Sequence, residues 1–84
     1  MPQEPADTPQ TGQLEGRYAN YFQVGHNAFE FVLDFGQVDA ERQTGRFHTR
    51  IITTPAYVRL MFELLQESLE RYTRTFGAIP RVDE

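Results

Sequence analysis

Hydrophobic and polar residues alternate with a period of two over three stretches of residues 17–53, and this alternation predicts three β-strands. Turn-forming residues at positions 25–27 separate the first two strands, and a polar segment at positions 36–45 separates the last two. The second strand has the clearest pattern. Its apolar face carries four large side chains, Phe29, Phe31, Leu33 and Phe35. On the third strand the same pattern places Phe47, Thr49, Ile51 and Thr53 on one face.

Spacings of three and four replace the alternation after Thr53 and predict one long helix over residues 55–76. Thr53 or Thr54 can cap its first turn, Pro55 suits that turn, and Gly77 can end the helix. At 1.5 Å per residue the helix is about 33 Å long, enough to cross a small sheet. Its apolar stripe comprises Val58, Phe62, Leu65, Leu69, Tyr72 and Phe76. We therefore predict an α+β fold, a three-stranded antiparallel meander followed by a C-terminal helix that packs on the apolar sheet face.

The register of the last two strands can be predicted from the pairs that it creates. Pairing Leu33 with Ile51 creates two further favourable cross-strand pairs, Asp34 with Arg50 and Val32 with Ile52. The sheet face turned away from the helix then has an apolar centre within a charged rim, which is the composition of an interface. The candidate interface residues are Tyr21, Val32, Arg50 and Ile52.

Length and composition favour self-association. Residues 17–79 form the predicted domain, between a disordered tail at residues 1–16 and a short tail at residues 80–84. So small a core rarely stabilises a fold alone, and the chain has no cysteine for disulfides. We therefore predict a homo-oligomer, with a dimer favoured. A sheet face, a sheet edge or the helix could each form the contact, and the sequence does not rank them.

The overall charge and hydropathy disfavour two classes of partner. The net charge is −4 and the pI about 5.1, which gives little attraction for the phosphates of nucleic acids. No apolar run approaches the roughly 20 residues that a membrane helix requires, and the N-terminus does not resemble a secretory signal. We predict a cytoplasmic protein that does not bind nucleic acids or membranes.

Three polar residues form the candidate polar site: His26, Asn27 and His48. His26 and Asn27 fall in the predicted turn, where a histidine could act as a base or contact an anion. His48 shares a predicted strand face with Arg50 and carboxylates, a cluster that could bind an anion but is more often a solvated charge ladder. No nucleophile or oxyanion-binding group accompanies them. We predict no enzymatic activity, no metal and no cofactor.

The run YANYFQVGHNAFEFVLDFGQ at residues 18–37 resembles the signature of a family of small bacterial domains of unknown function. The later run HTRIITTPAYVRLMFELLQESLERY at residues 48–72 is similar to the second half of the same family. The resemblance covers the whole predicted domain. It implies a stand-alone bacterial domain and directs attention to the turn at residues 25–27, but it implies no activity.

Three functions follow from these observations. The first is a non-enzymatic, self-associating module that binds an unidentified protein. The second is a chaperone-like or peptide-binding domain that accepts an extended segment at an open sheet edge. The third is a domain that binds a small anion or metabolite through its histidines. The absence of a catalytic constellation and the mixed sheet face favour the first.

Overall fold

The computed structural model describes residues 13–82. It contains four elements in chain order: β1 (Tyr21–His26), β2 (Phe31–Asp39), β3 (Thr44–Thr53) and α1 (Pro55–Phe76). The three strands form one antiparallel sheet in the order β1-β2-β3. The predicted α+β fold, a meander followed by one helix, is therefore confirmed. Most of the predicted N-terminal tail, residues 1–12, and residues 83–84 lie outside the described part of the chain.

The strand register is the predicted one. Leu33 lies opposite Ile51, and the pairs Asp34 with Arg50 and Val32 with Ile52 are formed. Directly opposite residues share a sheet face, which defines two surfaces. The Leu33 face comprises Phe22, Val24, His26, Phe31, Leu33, Phe35, Thr49, Ile51 and Thr53. The Asp34 face comprises Tyr21, Gln23, Gly25, Val32, Asp34, Gly36, Phe47, Arg50 and Ile52.

The first hairpin turns later than the sequence predicts. β1 continues through His26, and the turn consists of residues 27–30. Phe29, predicted on the apolar face of the second strand, lies in this turn and is 80% exposed, so that prediction is wrong. The cause is Asn27, whose side-chain Oδ1 accepts hydrogen bonds from the backbone N–H groups of Phe29 at 2.8 Å and Glu30 at 2.9 Å. This Asx turn closes the hairpin before the alternation of β2 begins.

A β-bulge near the other end of the sheet changes which face Phe47 occupies. The pairing passes from Phe35 with Thr49 to Gly36 with Phe47, so His48 is the extra residue. Phe47 therefore lies on the Asp34 face, and its predicted position beside Thr49 and Ile51 is wrong. A Cβ at Gly36 would collide with the Arg46 carbonyl, which explains why this strand position is a glycine.

The strands of the second hairpin extend further than predicted. β2 runs to Asp39 and β3 begins at Thr44, so only residues 40–43 form the loop. The Asp39 side chain accepts a hydrogen bond from the Glu41 N–H at 3.0 Å, and the Asp39 carbonyl accepts one from the Gln43 N–H at 2.7 Å. Gln43 has a φ of 57°, which closes the turn with a residue in the left-handed region.

The helix begins and ends where the sequence predicts. The Thr54 side chain caps it by accepting a hydrogen bond from the Tyr57 N–H at 3.3 Å, and Pro55 is the first helical residue. At the other end Gly77 has a φ of 98° and donates its N–H to the Thr73 carbonyl. The cap therefore uses the conformational freedom of glycine.

The helix does not cover the sheet as predicted. No residue of α1 is buried, and Leu33, 6% exposed, is the one buried hydrophobic side chain among residues 13–82. A single extended residue, Thr54, separates the last residue of β3 from the first residue of α1. The helix therefore starts at the end of β3, and it continues without burying any of its own residues. Around the buried Leu33 the apolar sheet face stays partly or fully exposed, and the helix stripe is exposed beyond Val58.

Candidate interaction surfaces

The Leu33 face is the more apolar of the two sheet faces. Leu33 lies at its centre, between Val24 on β1 and Ile51 on β3. Phe22 adds a ring that meets Phe35 edge to face, with ring centroids 5.9 Å apart. Phe22, Val24 and Ile51 are all exposed to solvent. A continuous apolar strip of this kind on a sheet is a surface that folded proteins normally cover.

The helix carries a second uncovered apolar surface. Its stripe side chains recur on one side of α1 at spacings of three and four. Only Val58, near the start of the helix, is partly buried, and the stripe residues that follow it are exposed. Tyr72 and Phe76 contact each other with ring centroids 5.0 Å apart, at the C-terminal end of the helix. The helix therefore presents most of its apolar stripe to solvent.

The two surfaces meet at an open notch where the helix leaves the sheet. The notch has a volume of about 530 Å³. Its lining residues come from β2 and the first two turns of α1: Phe31, Pro55, Ala56, Val58, Arg59 and Phe62. Because Phe31 belongs to the Leu33 face and Phe62 to the helix stripe, the notch makes the two apolar surfaces continuous.

The Asp34 face is organised around one ion pair. Asp34 is 4% exposed, and the Arg50 side chain opposite it donates from Nε to Oδ1 at 2.7 Å and from Nη2 to Oδ2 at 2.9 Å. The Gln23 amide donates to Oδ2 at 3.4 Å. The hydrogen bonds and charge of Arg50 hold the pKa of Asp34 below its ordinary value, although burial acts in the opposite direction. The pair fixes the register of the central strand with β3.

The four candidate interface residues do share the Asp34 face. Val32 and Ile52 lie opposite each other in one row, Arg50 in the next, and Tyr21 beyond it. Tyr21 stacks on Phe47 with ring centroids 4.7 Å apart and an interplanar angle of 15°. The stack lies over Gly45, where a Cβ would meet the Tyr21 ring. The structure thus brings these residues together, and their role as an interface stays a prediction.

His26 and Asn27 have structural partners at the end of the sheet. His26 is the last residue of β1, not a turn residue, and its ring stacks on Phe31 with centroids 5.1 Å apart. Asn27 holds the turn through the two backbone hydrogen bonds of Phe29 and Glu30. Residues 25–27, to which the family resemblance directs attention, are therefore the end of a hairpin.

His48 lies at the bulge, away from His26 and Asn27. Its Nε2 donates to the Tyr18 carbonyl at 3.0 Å, and its Nδ1 accepts from the Thr49 hydroxyl at 2.7 Å. The Arg17 side chain donates to the His48 carbonyl at 3.2 Å. Both ring nitrogens have a partner, and the hydrogen bonds of Tyr18 and Arg17 to His48 tie the segment before β1 to β3. The predicted polar site is thus divided between the two ends of the sheet.

A shallow hollow of about 340 Å³ beside Asp34, at one end of the sheet, is one place where predicted site residues do meet. Its lining includes His26, Asn27, Val32 and Arg50, together with the carboxylates of Glu30 and Asp34. Arg50 is the single arginine among these lining residues, and Asp34 already accepts its Nε and Nη2 hydrogen bonds. Two carboxylates beside one neutralised guanidinium do not favour an anion. The hollow therefore gives the anion-binding hypothesis no support.

Sequence reasoning missed three features of these surfaces. It did not include Gln23 among the partners of Asp34, and it placed Phe47 on the wrong face. A glycine within a strand indicates a bulge, so Gly36 carried the signal for Phe47. It also assigned the helix stripe to the chain's own sheet, although the single linker residue Thr54 was visible in the sequence.

Two general properties concern the described part of the chain. Within residues 13–82 there is no group of three or more His, Cys, Asp or Glu side chains placed to hold a metal ion. In the same range, α1 falls short of the apolar character that a membrane-crossing helix needs.

Comparison with known proteins gives one match. No curated protein and no solved structure matches the chain. A sequence model of one family, described as "Protein of unknown function (DUF3467)", matches residues 2–81. The match spans all three strands and the helix, in agreement with the family resemblance of residues 18–37 and 48–72. The chain therefore belongs to this family of proteins of unknown function, DUF3467.

Proposed function

We propose that this protein is a non-enzymatic, self-associating interaction module whose core is completed by a second copy of the chain. The observation that carries the proposal is the exposure of both apolar surfaces, the Leu33 face and the helix stripe, with one buried hydrophobic residue between residues 13 and 82. Natural domains below about 80 residues usually supplement their core with a disulfide, a metal or a partner. The sequence contains no cysteine.

The exposure of individual side chains supports this proposal. On the Leu33 face Phe22 and Val24 are 60% and 61% exposed, and on the helix stripe Leu65 and Leu69 are 55% and 53% exposed. Monomeric proteins rarely leave contiguous apolar patches of more than a few hundred Å² open to water. A homodimer that covers both surfaces would account for these side chains.

The ionisable groups support a non-catalytic role. The one buried charged residue among positions 13–82, Asp34, is engaged by Arg50 and Gln23, and the pKa of its carboxyl is lowered rather than raised toward neutrality. A carboxylate that acts as a general acid near pH 7 needs the opposite shift. His48 has both ring nitrogens in structural hydrogen bonds. The bacterial origin and cytoplasmic location predicted from the sequence stay predictions.

A matched pair of substitutions tests the proposal. Ile51 and Ile52 are adjacent, chemically identical and similarly exposed, at 46% and 57%, but they lie on opposite sheet faces. We expect Ile51→Glu to abolish dimerisation, because it places a charge in the proposed interface, with a dissociation constant raised at least roughly 100-fold. We expect Ile52→Glu to leave the dissociation constant within about threefold of wild type.

Sedimentation velocity over a range of protein concentrations measures both variants. Equal effects of the two substitutions would contradict the proposal that the Leu33 face is the contact. Thermal unfolding provides an independent measurement, because the midpoint of a folded dimer rises with protein concentration. A wild-type midpoint that does not change between low and high micromolar concentration would contradict self-association itself.

A further inference from the structure

We infer that the two copies associate by reciprocal exchange, in which the apolar stripe of each helix packs on the Leu33 face of the other subunit. This inference rests on the proposed self-association and specifies its geometry. The sequence predicts that the helix packs on the sheet of its own chain. In the exchange dimer the same contact forms between the helix of one chain and the sheet of the other. The Asp34 face then remains on the outside of the dimer.

The connection between strand and helix supplies the first argument. Thr54 alone joins β3 to α1, and its backbone is extended, with φ −89° and ψ 161°. The helix therefore leaves the end of the sheet, and the one helix residue that is partly buried, Val58, lies in its first turn. The stripe residues beyond Phe62 are exposed and not packed on the chain's own sheet, so they are available to a second copy.

The dimensions of the two surfaces supply the second argument. Three strands spaced about 4.8 Å apart make a face roughly 10–15 Å across, which is the diameter of one helix. The face thus accommodates a single helix, and each chain offers one face and one helix. Both surfaces are apolar and mostly exposed. Residues 14–19 border the sheet face at one end, where they share a hollow with Phe35, Thr49 and Ile51, and Phe22 and Val24 stay exposed.

Symmetry supplies the third argument. A chain that carries a donor surface and a complementary acceptor surface can associate in a closed pair or in an open chain. In a two-fold pair both surfaces of both subunits are covered at once, and no apolar face remains at an end. In each chain the helix stripe and the Leu33 face are continuous through the notch lined by Phe31, Val58 and Phe62. The second helix would therefore lie beside the first turns of the chain's own helix.

A complementation experiment distinguishes this geometry from helix-to-helix pairing. Leu69→Arg damages the helix stripe and Ile51→Glu damages the sheet face. In the exchange dimer each variant alone has two damaged contacts, whereas a mixture can form a heterodimer in which one helix-to-sheet contact is intact. We expect each variant alone to be monomeric or unfolded. We expect the 1:1 mixture to contain at least roughly tenfold more folded dimer than either variant alone at the same total concentration.

Two controls accompany the complementation. Leu60 lies on the side of α1 opposite to Leu69 and is comparably exposed, so Leu60→Arg should leave the dimer intact. Isotope-filtered NOE spectra of a dimer with one labelled subunit should show contacts between subunits from the Val24 and Ile51 methyl groups to those of Leu65 and Leu69.

The outcomes separate the two proposals. If the Ile51→Glu variant alone still forms the dimer, the exchange geometry is wrong but self-association stands. The same conclusion follows if the NOEs between subunits connect only one helix to the other helix. A mixture that shows no recovery would also overturn the exchange. A wild-type protein that is monomeric throughout would overturn both.

Discussion

Arg50 on β3 and Asp34 on β2 lie directly opposite each other, and the guanidinium binds both oxygens of the carboxylate, at 2.7 and 2.9 Å. The two partners differ in exposure: Asp34 is 4% exposed, and the Arg50 side chain is 63% exposed. The guanidinium thus lies over the carboxylate and shields it from water. This arrangement gives the Asp34 face its one specific polar contact between the central strand and β3.

The first prediction concerns the dependence of stability on pH. The Arg50 hydrogen bonds lower the pKa of Asp34 in the folded protein. A lowered pKa contributes stability that is fully present above the ordinary carboxyl pKa, near 4, and is lost as the pH falls through the lower folded value. We expect the urea midpoint to decrease below about pH 4, and Asp34→Asn to remove part of that decrease. Denaturation curves from pH 6 to pH 2.5 measure it, and parallel curves for the two proteins would contradict it.

The second prediction concerns the bulge. A Cβ at Gly36 would meet the Arg46 carbonyl and the Phe47 Cα, which belong to the backbone of the neighbouring strand and cannot move aside. We expect Gly36→Ala to destabilise the protein by about 2 kcal/mol or more, as overpacking does elsewhere. Gly25→Ala is the matched control, because nothing lies within 4 Å of a Cβ there. Chemical denaturation checks both, and equal stabilities would mean that the bulge does not require glycine.

The third prediction concerns the first turn. Asn27 Oδ1 accepts two backbone hydrogen bonds, and both donors are exposed to solvent. We expect Asn27→Ala to cost about 1 kcal/mol, because water partly replaces the lost acceptor. Asn27→Asp keeps an acceptor oxygen in place and should be close to wild type. If Asn27→Ala weakens dimerisation without lowering stability, the turn has a role in association and not in the stability of the hairpin.

The sheet could be predicted well where a single physical signal dominated. The register could be predicted because it pairs the opposite charges of Asp34 and Arg50 and, in the neighbouring row, the apolar side chains of Leu33 and Ile51. The helix limits followed from Thr54, Pro55 and Gly77, whose backbone preferences act locally. The helix limits depend on residues close in sequence, and the register depends on pairs between adjacent strands. The sequence pattern contains the information for both.

The errors arose where a local contact competes with the alternation. Asn27 closes its turn through a side-chain oxygen, and this removed Phe29 from the strand despite its apolar character. The bulge at Gly36 moved Phe47 to the other face. An alternating pattern assumes that no residue is skipped, so it could not show either change.

The position of the helix depends on a different kind of information. Its stripe predicts an apolar partner surface but does not say to which chain that surface belongs. The candidate polar residues illustrate the same limit, because His26 and His48 are polar in sequence but are held by Phe31, Thr49 and Tyr18 in the fold.

The molar mass of the wild-type protein in solution tests the central claim most directly. Sedimentation equilibrium at low micromolar concentration measures it without assumptions about shape. We expect a mass of about twice the 9.8 kDa of one chain, because a second copy covers the Leu33 face and the helix stripe. A folded protein that sediments at the mass of one chain would contradict the account.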